Sequence, residues 1–451
     1  MRNHKYLKHL TWIGLILSIL LLCSCQAGLT KTLISQTYPE SGTELSAYGW
    51  VGVTFSQPMV HETVEGAFSI SPDTSGQIFW EEDTIWFRPI QAFIQDKPYQ
   101  AHLQGDLETA DGQTITLDRT WDFSIREPEL IYYVREGDLG EIWRCTSDGS
   151  QARQLSFTSG NVFDFSPDQS GSWIAFTVQN ESGGRDLWIV DRDGEDQQLL
   201  INCRQDICSE PAWSIDQTWI AYSRETYTEE TGGYQPSQVW RVDIHSSETS
   251  PFYQNKILFA RSPSFSPDGK KLATYDATEH MIHVLDLQTL QETLIPRTLP
   301  GTVSWSSDGS QIMYTDELPA AMEPFVDIFV ADMDTSEVRT ALSEATMDTE
   351  FGHPHWSPDG NWVAVSLRPV NAAISKMLWV ISLKGERNLA ITEDQSATFS
   401  AYRWDPWGNS LVYQRMALGS SDPKVSLWRW DWQTKREILI VDNGARPEWL
   451  P

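Results

Sequence analysis

The chain reads as an all-β protein in two parts, a short β-sandwich followed by a β-propeller, and three observations carry that reading. Residues 127–451 repeat one strand-turn-strand phrase built around an aromatic side chain. The residues before 127 hold short alternating apolar stretches without a repeat. The two ends of the repeating part carry complementary fragments of a single unit.

The chain opens with a segment that belongs to neither part. Residues 1–9 carry Arg2, Lys5 and Lys8, and residues 10–22, LTWIGLILSILLL, form an apolar run. A basic flank before a short apolar core is an export signal. The run has thirteen residues, short of the roughly 20 a helix needs to cross the hydrocarbon core. Leu22-Cys23-Ser24-Cys25 resembles the bacterial lipobox, which implies a lipoprotein signal peptide over 1–24, lipidation of Cys25 and a short tether over 25–29. The alternative is a plain signal peptide or uncleaved anchor with Cys25 idle. Several acyl chains on one residue hold a protein stably at a membrane. By resemblance to the sorting pattern, Gln26 is compatible with transfer to the outer membrane of a double-membrane bacterium; otherwise the address is the cell surface.

Composition agrees with that address. The formal net charge is -29, and removal of Arg2, Lys5 and Lys8 takes it to -32. So acidic a chain argues against nucleic acid, whose phosphates need a basic surface. It also leaves the lipid anchor as the only membrane contact. Solubility accounts for the charge more simply than specific cation binding does. Beyond Cys25 only Cys145, Cys203 and Cys208 remain. Cys203 and Cys208 form either a small disulfide loop in an oxidising compartment or two free thiols, and Cys145 reads as a buried small hydrophobe in a strand.

Residues 30–126 contain VGVTFS at 51–56, AFSISP at 67–72, TIWFRP at 84–89, YQAHLQG at 99–105, TITL at 114–117 and TWDFSIR at 120–126. Strands every ten to fifteen residues over about a hundred residues fit a β-sandwich. The stretches YPESGTELSAYGWVGVTFSQPM at 38–59, FSISPDTSGQIFWEEDTIWFRP at 68–89 and TWDFSI at 120–125 resemble the bacterial Ig-like domain, with Trp121 and Phe123 at its closing Trp-x-Phe position. The resemblance implies a spacer or adhesive module without an active site. As plain chemistry, Val53, Trp86 and Phe123 are expected in the core.

The repeat appears as DFSPDQSGSWIAF at 164–176, PAWSIDQTWIAY at 211–222, PSFSPDGKKLATY at 263–275, VSWSSDGSQIMY at 303–314, PHWSPDGNWVAV at 354–365 and YRWDPWGNSLVY at 402–413. Its aromatics Phe165, Trp213, Phe265, Trp305, Trp356 and Trp404 are 48, 52, 40, 51 and 48 residues apart. That is the period of a propeller blade, one four-stranded sheet per unit. Pro-Asp-Gly makes the tight turn, Pro presetting φ and Gly accepting a left-handed corner. The aromatic on the inner strand is placed to fill the space between blades.

Residues 130–155 supply the later strands of a unit that lacks an inner strand, and Pro447–Pro451 supplies an inner strand with nothing behind it. Trp449 lies 45 residues beyond Trp404, on the period. Joined, the fragments close a ring of seven blades over 127–451 and remove both free sheet edges; a six-bladed ring is the alternative. These WSPDG-type repeats resemble the TolB-like propeller. Such repeats occur in a periplasmic component of an envelope-spanning system, in non-catalytic propellers of prolyl oligopeptidase-like enzymes, in sensors and in lipoproteins. The resemblance implies fold and leaves the task open. The repeats run to the end of the sequence and no Gly-x-Ser-x-Gly elbow occurs, so a peptidase half is not expected.

Few residues suggest chemistry. His61-Glu62-Thr63-Val64-Glu65 lacks the second histidine of a zinc helix and falls among strands. His353 and His355 flank Pro354 and read as a rim or turn position rather than a metal pair. Asp191–Asp196 reads as a turn between outer strands rather than a calcium loop. No catalytic residue, metal or cofactor is expected. The long loops 201–211, 224–238, 315–327, 343–355, 367–377 and 414–424 emerge on one end of the propeller, and loops on a rigid scaffold are where recognition concentrates. Their Tyr227, Tyr234, Met322, Phe325, Phe351 and Met416 are the candidate contact residues, against the alternative that each pins its own loop. The expected function is binding or scaffolding outside the cytoplasm, with a protein as partner and a glycan as the alternative. A glycan-active hydrolase or lyase using the channel, and a passive structural envelope role, are the other readings.

Overall fold

The computed structural model describes residues 33–451 except 137–138, 160, 255, 319–324, 342–348, 371, 373, 386–387 and 420–423. The signal segment, Cys25 and Met322 therefore lie outside the described residues. The regular structure of the described part is strand apart from one short helix, and no helix in it is long and apolar enough to cross a membrane.

The first part is a sandwich of two four-stranded sheets. One runs Ile34–Tyr38, Val51–Phe55, Thr84–Pro89, Gly76–Glu81; the other runs Thr43–Leu45, Thr114–Ile125, Tyr99–Glu108, Phe68–Ser71. Period-two alternation buries Val51, Val53 and Phe55 from one sheet and Tyr99, Ala101, Leu103, Trp121 and Phe123 from the other in one core. The same alternation corrects one expectation. Ile85 and Phe87 point into the core, which sends Trp86 to the opposite face, half-buried against Tyr38 and Trp50. A second departure is the helix His61–Ala67 in a domain expected to consist of strands. Its Val64 joins the core, while His61 stacks on Trp80 at 3.9 Å.

From Glu129 onward the described strands fall into seven units beside one small separate hairpin. Six units have four strands and the sixth has five, its inner strand being split into Thr349–Phe351 and His355–Trp356, and the second and third units are joined by one parallel bridge between Arg185 and Ile207. The first unit is composite: Ala445–Leu450 pairs antiparallel with Glu129–Glu136, with Trp449 opposite Leu130. Turn chemistry recurs from unit to unit. Ser214, Ser266, Ser306 and Ser357 donate their hydroxyls to Asp216, Asp268, Asp308 and Asp359 at 2.5–2.7 Å. The same hydroxyls accept the amides of Trp219, Lys271, Gln311 and Trp362, closing each turn. Gly269, Gly309, Gly360 and Gly408 hold the left-handed corner at φ 69–73°.

The units are joined by their aromatics. The indole N–H groups of Trp213, Trp305, Trp404 and Trp449 donate to Ser166 O, Ser264 O, His355 O and Arg403 O of the preceding inner strands. The inner strand Ala445–Leu450 also packs against both Ala397–Trp404 and Val162–Pro167, which closes the ring. The sandwich seats on the Pro-Asp-Gly end of that ring. Trp407, in the seventh unit's turn, donates to Phe93 O at 2.7 Å, and Arg126 reaches Pro451 O at 2.8 Å and Ser170 O at 3.3 Å. Burial and the neighbouring Asp405 push the Tyr48 hydroxyl up to about 12 at this junction. A cleft of about 740 Å³, lined by Gln77, Phe79, Arg88, Ser214, Asp216 and Gly269, remains between the two parts.

Candidate partner-binding end of the propeller

With the turn end occupied by the sandwich, the described parts of the long loops stand at the opposite end. Two of them form one corner. Cys203 and Cys208 are joined by a disulfide that cinches the loop before the third inner strand. Asp206 in that loop accepts from Arg224 Nε at 2.9 Å and from the Tyr227 amide at 2.9 Å, tying it to the 224–238 loop. That second loop folds into a small hairpin, Tyr227–Thr228 against Gly233–Tyr234. The two tyrosine rings meet edge to face at 5.5 Å, and Tyr234 is 44% exposed. Of the residues singled out from sequence, these two come together on an accessible surface.

The others part company. Phe351 is 1% exposed and packs against Met313, Ile328, Val330, Val363 and Val365. It is a core residue that anchors its loop, and the expectation of a surface contact is corrected: its strand Thr349–Phe351 turns the ring inward, where apolar area is removed from water. Met416 is half-buried within the strand Ser410–Ala417, and Phe325 is the first residue of the strand Phe325–Asp332. Beside Met416 opens a recess of about 690 Å³ lined by Glu350, Ser366, Arg368, Lys376, Phe399 and Leu418 among others. Burial alone would raise the Glu350 carboxyl, but Lys376 at 3.0 Å and Arg368 at 2.8 Å hold it below its ordinary range.

The inner strands carry a polar belt between units. Glu210 and Ser262 sit at bulges with φ 54° and 55°, a left-handed backbone that side chains seldom adopt. The Glu210 carboxylate accepts from Ser223 Oγ at 2.8 Å, Arg261 Nη2 at 2.9 Å and the Ser262 amide at 2.9 Å. Its own amide donates to Asp164 at 2.7 Å. Burial is the largest influence on both acids, and it raises Asp164; at Glu210 the hydrogen bonds and charge of Arg261 outweigh it and hold the carboxyl low. Across the ring Arg403 donates to Glu448 at 2.8–2.9 Å and to His355 Nε2 at 2.8 Å. Burial, then Arg403 and His353, push the His355 imidazole well below its usual value, so it is a neutral acceptor. His353, although exposed, is also lowered, by its desolvated surroundings first and then by the charges of Arg297, Arg403 and Lys376. A histidine pair facing three cations is a poor metal site, and its partners link blades to each other.

Sequence reasoning missed Arg297. Its guanidinium is 1% exposed, donates to Gly301 O at 2.7 Å and lies 5.7 Å and 5.5 Å from the rings of Tyr275 and Tyr314. Nothing local marks it, because both rings come from strands of different units. The run from Asp191 to Asp196 is the expected turn: Asp191 Oδ1 accepts the amides of Glu195 and Asp196.

No family model matches the chain. A curated relative, the Protein TolB homolog of Chlorobium chlorochromatii, is 28% identical over 211 residues, covering 38% of this chain and 45% of that protein. The chain thus spans less than half the length of the curated relative it matches. Among solved structures, one from a study of two prolyl endopeptidases superposes with TM-score 0.55 at 12% identity, covering 70% of this chain and 48% of that one. TolB from Acinetobacter baumannii gives TM-score 0.43 at 16% identity, covering 85% of this chain and 83% of that one. The first of these structural likenesses concerns the fold alone.

Proposed function

The repeating part of this chain is a TolB-like β-propeller, and we propose from that premise that the protein is a membrane-anchored, extracytoplasmic binding or scaffolding protein that does no chemistry. Its partner is a protein, taken up by the long-loop end. The observation that supports this most is the placement of the sandwich: Trp407 to Phe93 and Arg126 to Pro451 occupy the turn end, which leaves the Tyr227–Tyr234 corner and the recess beside Glu350 for a partner. Residues 30–126 act as an Ig-like spacer, and residues 127–451 form the recognition domain. Cys25 carries the lipid that holds both at the outer face of a bacterial membrane.

The belt of inner-strand acids supports the non-catalytic reading. Glu210, Glu448 and Asp164 each hold hydrogen bonds from neighbouring units. A general acid–base pair keeps reach toward a substrate proton, whereas these groups are committed to the ring.

Two measurements test the proposal. Tyr227→Ser with Tyr234→Ser, in a protein that still folds, is expected to lose a partner captured from detergent-solubilised envelope; equal capture by the variant overturns the docking assignment, and capture of glycan alone moves the partner to that class. Metabolic labelling with radioactive palmitate is expected to mark the wild type, and Cys25→Ala to abolish both label and membrane retention. Unlabelled wild type removes the anchor.

A further inference from the structure

The fourth unit holds a cluster unrelated to the long-loop corner. Its strands Lys271–Asp276 and Met281–Asp286 are joined by a tight hairpin, with His280 at φ 56°. Asp276 ends the first strand, Glu279 lies in the turn, and His283 sits on the second strand opposite Thr274. One ligand atom from each of Asp276, Glu279 and His283 lies within 4.8 Å of the others, a grouping found nowhere else among the described residues.

His283 is the informative member. It is 2% exposed, and its Nε2 is buried without a hydrogen-bond partner. Buried polar atoms are nearly always satisfied, so an orphan nitrogen calls for an occupant. The other ring nitrogen, Nδ1, lies 3.2 Å from Glu292 Oε2, and Lys256 binds the same carboxylate oxygen at 2.5 Å. A carboxylate holding Nδ1–H fixes the tautomer with the lone pair on Nε2, which is how metal-ligating histidines are oriented. Asp276 is also 2% exposed. Its Oδ1 is spent on the amides of Thr278 and Glu279 and on the Thr278 hydroxyl, leaving Oδ2 outside that turn network. Glu279, exposed in the turn, adds the second carboxylate.

We infer that Asp276, Glu279 and His283 form a binding site for a divalent transition-metal ion, zinc above all, with Glu292 as the positioning carboxylate behind the histidine. One imidazole and two carboxylates are a mixed nitrogen–oxygen set. Zinc and its first-row neighbours accept such a set, whereas calcium and magnesium take oxygen shells. Three protein ligands leave a fourth tetrahedral position for water or for a donor from another molecule. The histidines weighed from sequence, His353 and His355, have cations for neighbours; His283 has carboxylates.

The test uses the full chain in detergent, stripped with chelator and titrated with zinc chloride by calorimetry, with calcium chloride in parallel. Because His283 is a core residue whose replacement can unfold the unit, the exposed Glu279 carries the test. Wild type is expected to bind one zinc ion that Glu279→Gln binds at least about tenfold more weakly, and Glu292→Gln is expected to weaken it by about 10–100-fold. Calcium is expected to give no matching site. X-ray absorption on the zinc-loaded protein is expected to show nitrogen and oxygen ligands at about 2.0–2.2 Å with no sulfur. Equal zinc binding by wild type and Glu279→Gln, sulfur ligation, or no stoichiometric binding by wild type overturns the assignment.

Discussion

Gln217 stands with φ 59° in the corner that Gly269, Gly309, Gly360 and Gly408 hold in neighbouring turns. An L-residue in that region carries a steric cost of about 1–2 kcal/mol, partly offset because glycine loses more chain entropy on folding. Gln217→Gly is therefore expected to stabilise the protein by about 0.5–1 kcal/mol, read as a higher thermal midpoint; a lower midpoint contradicts the turn argument. His355 supplies the other residue-scale prediction. Its folded pKa is depressed by burial and by Arg403 and His353, so above about 6.5 both folded and unfolded forms are neutral. As pH falls through that value the unfolded chain takes a proton that the folded one refuses, and stability falls. His355→Gln keeps an acceptor for Arg403 and is expected to flatten that decline. Comparing the two proteins cancels the contribution of buried Asp164, Asp168 and Asp405. Parallel curves for wild type and variant would refute a neutral buried imidazole. At this scale the sequence was a partial guide. The Asp and Gly of each turn were legible because their chemistry is local, whereas the burial of Phe351 and the outward turn of Trp86 depend on which strand face meets the core.

Elements are joined here by a small number of directional contacts. The indole of Trp449 packs among Leu130, Tyr132, Val412 and Leu427 and donates to Arg403 O. Trp449→Phe keeps most of the apolar area and loses the hydrogen bond, for an expected loss of about 1 kcal/mol. Trp449→Ala also leaves a cavity, and its expected loss is about 3–5 kcal/mol. If both variants unfold at the same denaturant concentration, packing does not dominate at this joint. The Cys203–Cys208 bridge closes a short loop, and chain-entropy arguments give such a loop about 2 kcal/mol of stabilisation. Replacing both cysteines by serine is expected to cost about that much and to raise amide exchange in 201–211; unchanged exchange there argues against the bridge as the loop's constraint. The strand boundaries and the aromatic period could be read in the sequence. The helix His61–Ala67 could not, since its seven residues carry one core side chain, Val64, and no strong periodic signal.

The two parts of the molecule and the closing strand of the ring meet at Pro451. Arg126 and Arg192 both donate to Pro451 O, and Arg192 also pairs with Glu129 at 2.6 Å. Burial, with Arg192 alongside, lowers the Arg126 guanidinium to about 10, the mark of a cation placed in the seam. Deleting 445–451 removes an inner strand, exposes the edge of Glu129–Glu136 and takes away the acceptor for both arginines. Unpaired edges template association. The truncated protein is expected to aggregate on size exclusion and to lose its cooperative transition; a monomer that unfolds like the wild type means the ring does not depend on its closing strand.

Period, turn chemistry, the alternation of the sandwich strands and the composite first unit followed from the sequence alone, because each is written in residues that are neighbours along the chain or recur at fixed spacing. The seat of the sandwich on the turn end, the buried Arg297 between two tyrosines, the neutral His355 and the orphan nitrogen of His283 were decided by the tertiary structure. Each depends on groups brought together from distant positions, 314 residues apart for Trp407 and Phe93, and burial and electrostatic environment exist only once those groups have met.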